Sequence, residues 1–404
     1  MRIYLLLALV AAAVTYLTTP LARWLALRTG AITAVRDRDV HVTPIPRMGG
    51  VAMLLGMAVA IVFASRMPFL AAQFETSTAW AILGGAAMVC LLGAADDIWE
   101  LDWFTKLTGQ VLAAGVMVWL GHVQLYALPI WGQTIPSSRM SLVATVLIVV
   151  VAMNAVNFVD GLDGLAAGLI AIGGTAFFIY TYLLTTDTPG AESYANLATM
   201  IVAVLVGACV GFLPHNFHPA RIFMGDSGSM LIGLTIAAAS IHVTGQMDAA
   251  AATARQQFPA FLPLLLPVAV LLLPLVDMGL AVIRRVGAGT SPFHPDRRHL
   301  HHRLLLLGHS HRRAVLIMYL WTALFAFGAA ALVRWTTTQV LWAVGIGTVV
   351  AFALTLGPLR GRGARGPRGG AGGRDGGPDG DGGPAGPGQD DGGPLPRRVE
   401  VGVG

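Results

Sequence analysis

The sequence predicts an all-α, polytopic integral membrane protein, and three observations carry that prediction. Of its 404 residues 55% are hydrophobic and only 12% are charged, whereas about a quarter of an ordinary soluble domain is charged. The mean hydropathy is +0.69. Apolar stretches close to the roughly 20 residues needed to cross a bilayer recur along the chain.

Eleven such spans are expected. The first, near Ile3–Leu25, follows only Arg2 and precedes Arg23, Arg28 and further apolar runs, so it reads as a retained span rather than a cleaved signal peptide. The second, Gly49–Ser65, opens on a Pro/Gly-rich segment; the third, Ala79–Ala95, closes on Asp96-Asp97; the fourth, Leu107–Leu120, begins after Lys106. Ser141–Val156 and Leu165–Leu184 flank a run of amides and acids, and Leu197–Leu213 and Ser229–Thr244 flank a second polar segment. Phe261–Ile283 ends on Arg284-Arg285, and Ala314–Val333 and Val340–Leu356 lie either side of Arg334. Residues 1–358 thus form the membrane domain. Residues 359–404 are rich in Gly, Pro, Arg and Asp, with too little apolar surface to offset their ordering entropy, and are expected to be a disordered cytoplasmic tail.

Charge orients the spans. The short loops after odd-numbered spans hold 13 Arg and Lys residues and the other face holds 5, so positive-inside bias places the N-terminus outside and the odd loops in the cytoplasm. The net charge of +5 reflects this asymmetry and the tail, not a nucleic-acid surface. Cys90 and Cys209 sit in apolar runs and read as small buried side chains.

The most informative segment is Asn154-Ala-Val-Asn157-Phe-Val-Asp160-Gly-Leu-Asp163-Gly-Leu, two amides and two acids at a spacing of three. An ionised side chain at the centre of a span costs roughly 2.5–3.5 kcal/mol on insertion scales, so such density at a membrane boundary points to metal or substrate. On one straight helix this spacing drifts about 60° per step. With Gly161 and Gly164 present, the expected arrangement is instead a span ending near Phe158, a tight turn, and a new helix whose N-terminal amides favour an anion.

Other polar segments share the same parity: Asp96-Asp97, His215 to Ser229 with Asp226, and the His294 to Arg303 loop. They are expected to meet at one cytoplasmic surface, the layout of an interfacial active site rather than a pore. Adjacent carboxylates repel unless a cation intervenes, and an all-oxygen set of acids suits Mg²⁺, with Mn²⁺ as a substitute. Capping of a helix, or pairing with Lys106 or Arg221, is the competing reading for Asp163 or Asp226 and is weaker for Asp96 and Asp97 together. The four histidines between His294 and His302 have no Cys nearby and cationic neighbours, which disfavours zinc. They read as a diphosphate clamp or proton-transfer groups, against a basic loop resting on lipid headgroups. Phe223 is placed either to stack on a planar base or to pack in the core.

Thr43-Pro-Ile-Pro-Arg-Met-Gly-Gly50, Asp96-Asp97, the Asn/Asp run, Asn216 to Ser229 and His299-Leu-His301-His302-Arg303-Leu occur in one order. In these the chain resembles the polyprenyl-phosphate N-acetylhexosamine-1-phosphate transferases, glycosyltransferase family 4, from about Arg36 to about Leu316. The resemblance implies transfer of a sugar-1-phosphate from a UDP-sugar to a polyprenyl phosphate in the bacterial plasma membrane, with Mg²⁺, giving UMP. It implies Asp226 as principal metal ligand with Asn157, and Asp96 as the group that binds or deprotonates the lipid phosphate. Asp97, Asn157 and Asp160 would support metal and diphosphate; Gly161, Leu162, Asp163, Asn216 and Phe223 would form the uridine pocket. His301, His302 and Arg303 would meet the diphosphate or sugar, and Lys106 matches the family's basic residue after the acid pair. His301-His302-Arg303 in place of three histidines looks like the UDP-GlcNAc branch rather than the phospho-MurNAc-pentapeptide translocases; another N-acetylhexosamine is the remaining alternative. A homodimer follows by analogy. A secondary transporter would show repeat symmetry and acids at mid-bilayer, neither of which the sequence has.

Overall fold

The computed structural model describes residues 1–33, 44–125, 137–187, 192–246, 287 and 309–356. Among these, ten long helices follow one another: α1 (Arg2–Thr29), α2 (Gly49–Ala64), α3 (Thr78–Trp99), α4 (Trp103–Gly121), α5 (Ser138–Val159), α6 (Leu165–Asp187), α7 (Glu192–Asn216), α8 (Gly225–Gln246), α9 (His311–Ala331) and α10 (Thr337–Leu356). A two-residue antiparallel pair, β1 (Ile32–Thr33) with β2 (Ile45–Pro46), closes the loop between α1 and α2.

Each helix coincides with an expected apolar stretch. The remaining stretch, Phe261–Ile283, and the tail at 359–404 lie outside the described residues. Among the described residues, eight helices are long and apolar enough to cross a membrane, and nine if α2 and the 3-10 helix Pro68–Phe74, bent by 109°, form one span. The chain is therefore a polytopic membrane protein. The expected spans at α2 and α4 stand outside the eight for separate reasons. The 16 residues of α2 rise only about 24 Å, less than the roughly 30 Å hydrocarbon layer, and α4 carries Lys106 and Gln110 in its first half.

Local chemistry sets several ends. Asp102 caps α4 by accepting from the amides of Phe104 and Thr105, both at 3.0 Å, and Ser137 and Ser310 cap α5 and α9 in the same way. The turn between α5 and α6 follows the expected break: α5 stops at Val159, and Gly164 takes φ 76° just before α6, a conformation that a Cβ would strain.

The helices pack around α8, 89% of whose apolar window is buried, with α2, α3, α5 and α7 against it. The outward faces of α1, α3, α4 and α10 instead present large apolar side chains such as Leu17, Leu91, Trp119 and Trp342, the arrangement of a protein solvated by lipid.

Candidate active site

Six chain segments converge at one end of the bundle: the C-terminal ends of α3, α5 and α7 and the N-terminal ends of α4, α6 and α8. They meet closely because glycines stand at the contacts: a Cβ on Gly50 would lie 2.2 Å from the Gly228 nitrogen. A Cβ on Gly93 of α3 would lie 2.3 Å from the Ser227 nitrogen, so only glycine lets α3 touch the first turn of α8. The segment before α8 is laced to the start of α2 by three backbone bonds: Phe223 N to Pro46 O, Gly49 N to Phe223 O and Gly50 N to Met224 O, at 2.8–3.1 Å.

At the centre, the Lys106 ammonium donates to Asp96 Oδ2 at 2.8 Å and Asp226 Oδ2 at 2.6 Å. Asn157 Nδ2 donates to Asp226 Oδ1 at 2.8 Å and to Ser229 Oγ at 3.0 Å. Asp226 stands in the first turn of α8, where the helix dipole favours its negative charge. Asp96 Oδ1 is buried and accepts no hydrogen bond, a costly condition for a carboxylate oxygen that a cation would relieve. Asp160, the residue that ends α5, has its carboxyl pushed up to about 7, first by burial and then by the charges of Asp226 and Asp97, with Arg47 opposing.

The geometry gives three of the expected site residues specific partners. Asp97 accepts from the amides of Asp226 (3.0 Å) and Ser227 (3.3 Å), so it caps α8 from the neighbouring helix, the role expected to be weakest for the acid pair. Asn157 turns its amide nitrogen to Asp226 and steadies that carboxylate, while its amide oxygen keeps its own lone pairs. Leu162 is buried in an apolar cluster with Val159, Leu165, Leu169 and the α9 residues Ala314, Val315, Ile317 and Met318, so its side chain packs α9 onto the turn.

Beside the centre lies a second polar group. The buried Asp163 carboxylate accepts from His218 Nδ1 at 2.7 Å and the Ala220 amide at 3.1 Å. Asn216 accepts from Gly164 N and donates to Ile222 O, both at 3.0 Å. Together they tie the loop from Phe217 to Met224 onto the α5–α6 turn. From α9, Arg312 donates to the His218 carbonyl at 3.1 and 3.3 Å, and the Tyr319 hydroxyl donates to the Gly164 carbonyl. Gly161 is exposed and Phe223 half-buried, outside the apolar core clusters. Asp163, His218 and His311 bring ligand atoms within 4.8 Å of one another, but the two imidazoles are stacked 18° from parallel. Their in-plane lone pairs run side by side and do not converge on one ion.

His301, His302 and Arg303 lie outside the described residues. Sequence reasoning gave no role to His218 or Arg47, and Arg312 only a place in a basic segment that clamps a diphosphate or rests on lipid headgroups. His218 stands in the quoted Asn216 to Ser229 segment and Arg47 in the Pro-Arg-Met-Gly-Gly motif, so each carried a signal, whereas Arg312 had none beyond its positive charge.

The fold and site define a class: a polytopic membrane protein that gathers acids, amides and one ammonium at one end of its helices. Comparison with known proteins narrows the class. The model of glycosyl transferase family 4 matches residues 79–244. The chain is 47% identical over 365 residues to a decaprenyl-phosphate N-acetylglucosaminephosphotransferase of Mycolicibacterium smegmatis, covering 89% of this chain and 90% of the relative. The enzyme of the same name from Mycobacterium tuberculosis is 47% identical, with 89% of each chain covered. A probable undecaprenyl-phosphate N-acetylglucosaminyl 1-phosphate transferase of Bacillus subtilis is 32% identical over 78% of this chain and 80% of its own. The chain belongs to glycosyl transferase family 4, the polyprenyl-phosphate N-acetylhexosamine-1-phosphate transferases that its motifs resemble.

Proposed function

We propose that the protein transfers N-acetylglucosamine-1-phosphate from UDP-GlcNAc to decaprenyl or undecaprenyl phosphate, giving polyprenyl-diphosphate-GlcNAc and UMP. The observation that carries this reading is the 47% identity, over nine-tenths of their length, to relatives named for that transfer. In the reaction a lipid phosphate oxygen bonds to the phosphorus that carries the sugar, the bond from that phosphorus to the UMP oxygen breaks, and its electron pair leaves with UMP.

Both reactants are anions, so the chain must neutralise charge and fix an in-line approach more than supply covalent chemistry. Asp226 and Asp96 are the residues that would hold Mg²⁺, or Mn²⁺ in its place; the all-oxygen donors and the unsatisfied Asp96 Oδ1 fit a hard cation. When bound, the metal would act as a Lewis acid on the phosphoryl oxygens. Asp97 fixes the start of α8 and so the position of Asp226. Asn157 orients the Asp226 carboxylate. Asp96 sits where the lipid phosphate would approach, and the phosphate oxyanion attacks directly. Asp160 supports the diphosphate side, with His301, His302 and Arg303 completing it. Asp163 and Asn216 frame the nucleotide pocket, and the half-buried Phe223 is placed to stack on uracil.

The arrangement in the membrane belongs to the same reading: eleven spans, the N-terminus outside and the site facing the cytoplasm of a bacterial plasma membrane. A crossing by Phe261–Ile283 would return the chain from the far end of α8 to the site end, where α9 begins. A homodimer completes it, checked by the mass of the purified protein in detergent.

The test is UMP release by purified protein with Mg²⁺ and decaprenyl phosphate, comparing UDP-GlcNAc with UDP-MurNAc-pentapeptide. The expected result is turnover of UDP-GlcNAc only, lost without lipid phosphate, without divalent metal, and in Asp226→Ala. Turnover of the pentapeptide substrate alone overturns the sugar assignment. Uptake of UDP-GlcNAc into vesicles without UMP formation overturns the reaction.

A further inference from the structure

The chain has 26 basic residues, and Lys106 is its only lysine; the other 25 are arginine. That one ammonium lies between the two carboxylates assigned to the metal, 2.8 Å from Asp96 Oδ2 and 2.6 Å from Asp226 Oδ2. A lysine head is a compact point charge, whereas a guanidinium is a broad planar fork. Only the former can nestle between two carboxylates at the spacing a small cation would bridge. The helix carrying Lys106 is held separately: Asp102 caps α4 through the amides of Phe104 and Thr105. The lysine side chain is therefore free to move without unwinding its helix, and it is 27% exposed.

We propose that Lys106 competes with the divalent cation for Asp96 and Asp226, and that metal binding releases its ammonium toward the phosphates of the substrates. This rests on the Mg²⁺ reading above and extends it to how the acid pair is balanced before the metal binds. While the lysine holds both carboxylates, the acid cluster is neutralised in part without metal and does not splay apart by repulsion. A divalent ion bringing two charges displaces it, and the freed ammonium adds a positive charge beside the attacking and leaving oxygens. The two cations thus act in turn on one pair of acids.

The experiment uses the full chain in detergent without nucleotide or lipid phosphate. Mn²⁺ affinity is measured by electron paramagnetic resonance for the wild type and Lys106→Met, with Mg²⁺ competition. In parallel, the wild type is labelled with an amine-reactive ester, with and without Mg²⁺, and Lys106 is read by mass spectrometry, which separates it from the N-terminal amine. The expected results are that Lys106→Met binds Mn²⁺ about tenfold or more tightly than the wild type, since a like charge in contact with the site is removed, and that Mg²⁺ raises the labelling rate of Lys106 at least about threefold, since the released head is more accessible. Labelling of the wild type reads the release even where Lys106→Met fails to fold. Equal or weaker Mn²⁺ binding in the variant, or labelling that Mg²⁺ leaves unchanged or slows, overturns the competition while the metal site stands. Absence of Mn²⁺ binding in the folded wild type overturns the metal reading and the competition together.

Discussion

Two polar groups lie side by side at the end of the bundle, and they are built differently. In the first, around Asp226, side chains bond mainly to side chains: Lys106 to two carboxylates, Asn157 to a carboxylate and a hydroxyl. In the second, around Asp163, polar side chains reach mostly for backbone: Asp163 to the Ala220 amide, Asn216 to Gly164 and Ile222, Arg312 to the His218 carbonyl. Bonds to backbone fix where a chain segment runs. Bonds between charged side chains can be exchanged for a ligand, because each partner moves on its own stem. On the proposed function, the first group would carry the chemistry and the second would frame the nucleotide pocket.

Substitutions on the two sides should separate this way. The largest loss is expected for Asp226→Ala: UMP release falls about 10³-fold or more, since a group that positions charge in the transition state is gone, while the unfolding temperature stays within about 3 °C of the wild type. A large drop in stability with modest loss of turnover would erase the distinction between the groups. Asp163→Asn should act on binding instead. With the Asp163 carboxylate gone, His218 and the Ala220 amide lose a charged acceptor, at about 1–3 kcal/mol, and KM for UDP-GlcNAc should rise about 10- to 100-fold with kcat changed far less; steady-state kinetics at saturating lipid phosphate decide it.

Asp97→Asn tests the border between the two. As a cap it should lower stability by about 1–2 kcal/mol and leave Mn²⁺ affinity within a few-fold, whereas a fall as deep as that of Asp226→Ala would make Asp97 a ligand. The smallest effect is expected for Arg312→Lys, which keeps the charge and loses the paired N–H contacts to the His218 carbonyl. A twofold to fivefold rise in KM for UDP-GlcNAc is the expected reading, and an unchanged KM would detach α9 from the pocket.

Much of this was legible in the sequence, and what was missed has a common cause. The length of the apolar runs marked the ten long helices but not the 3-10 helix Pro68–Phe74, and Gly161 and Gly164 marked the turn after Val159, because those signals are local. The acid and amide content of the site was equally plain. What the sequence could not apportion was which acid does what. Asp96 and Asp97 are adjacent and chemically identical, yet one faces Lys106 and the other turns to amides 129 and 130 residues further along, a partnership fixed by helix phase and packing. Leu162 was named for the pocket only by the family resemblance, and nothing local reveals the apolar face of α9 against which its side chain packs. His218 and Arg312 lie 94 residues apart and meet only through the fold.

The glycine at position 93 and the cap from Asp97 bear on how the protein lives with its solvent. Both fasten α3 to the first turn of α8 through contacts inside the protein, and α8 itself is almost wholly shielded from lipid, whereas α10 is only 11% buried along its apolar window. Stretching or thinning the bilayer changes the tilt of such peripheral helices first. The spacing of Asp96 and Asp226 is held by the Asp97 carboxylate on the first amides of α8 and by a missing methyl group at Gly93, contacts inside the protein that leave the outer helices to take up a mismatch with the bilayer.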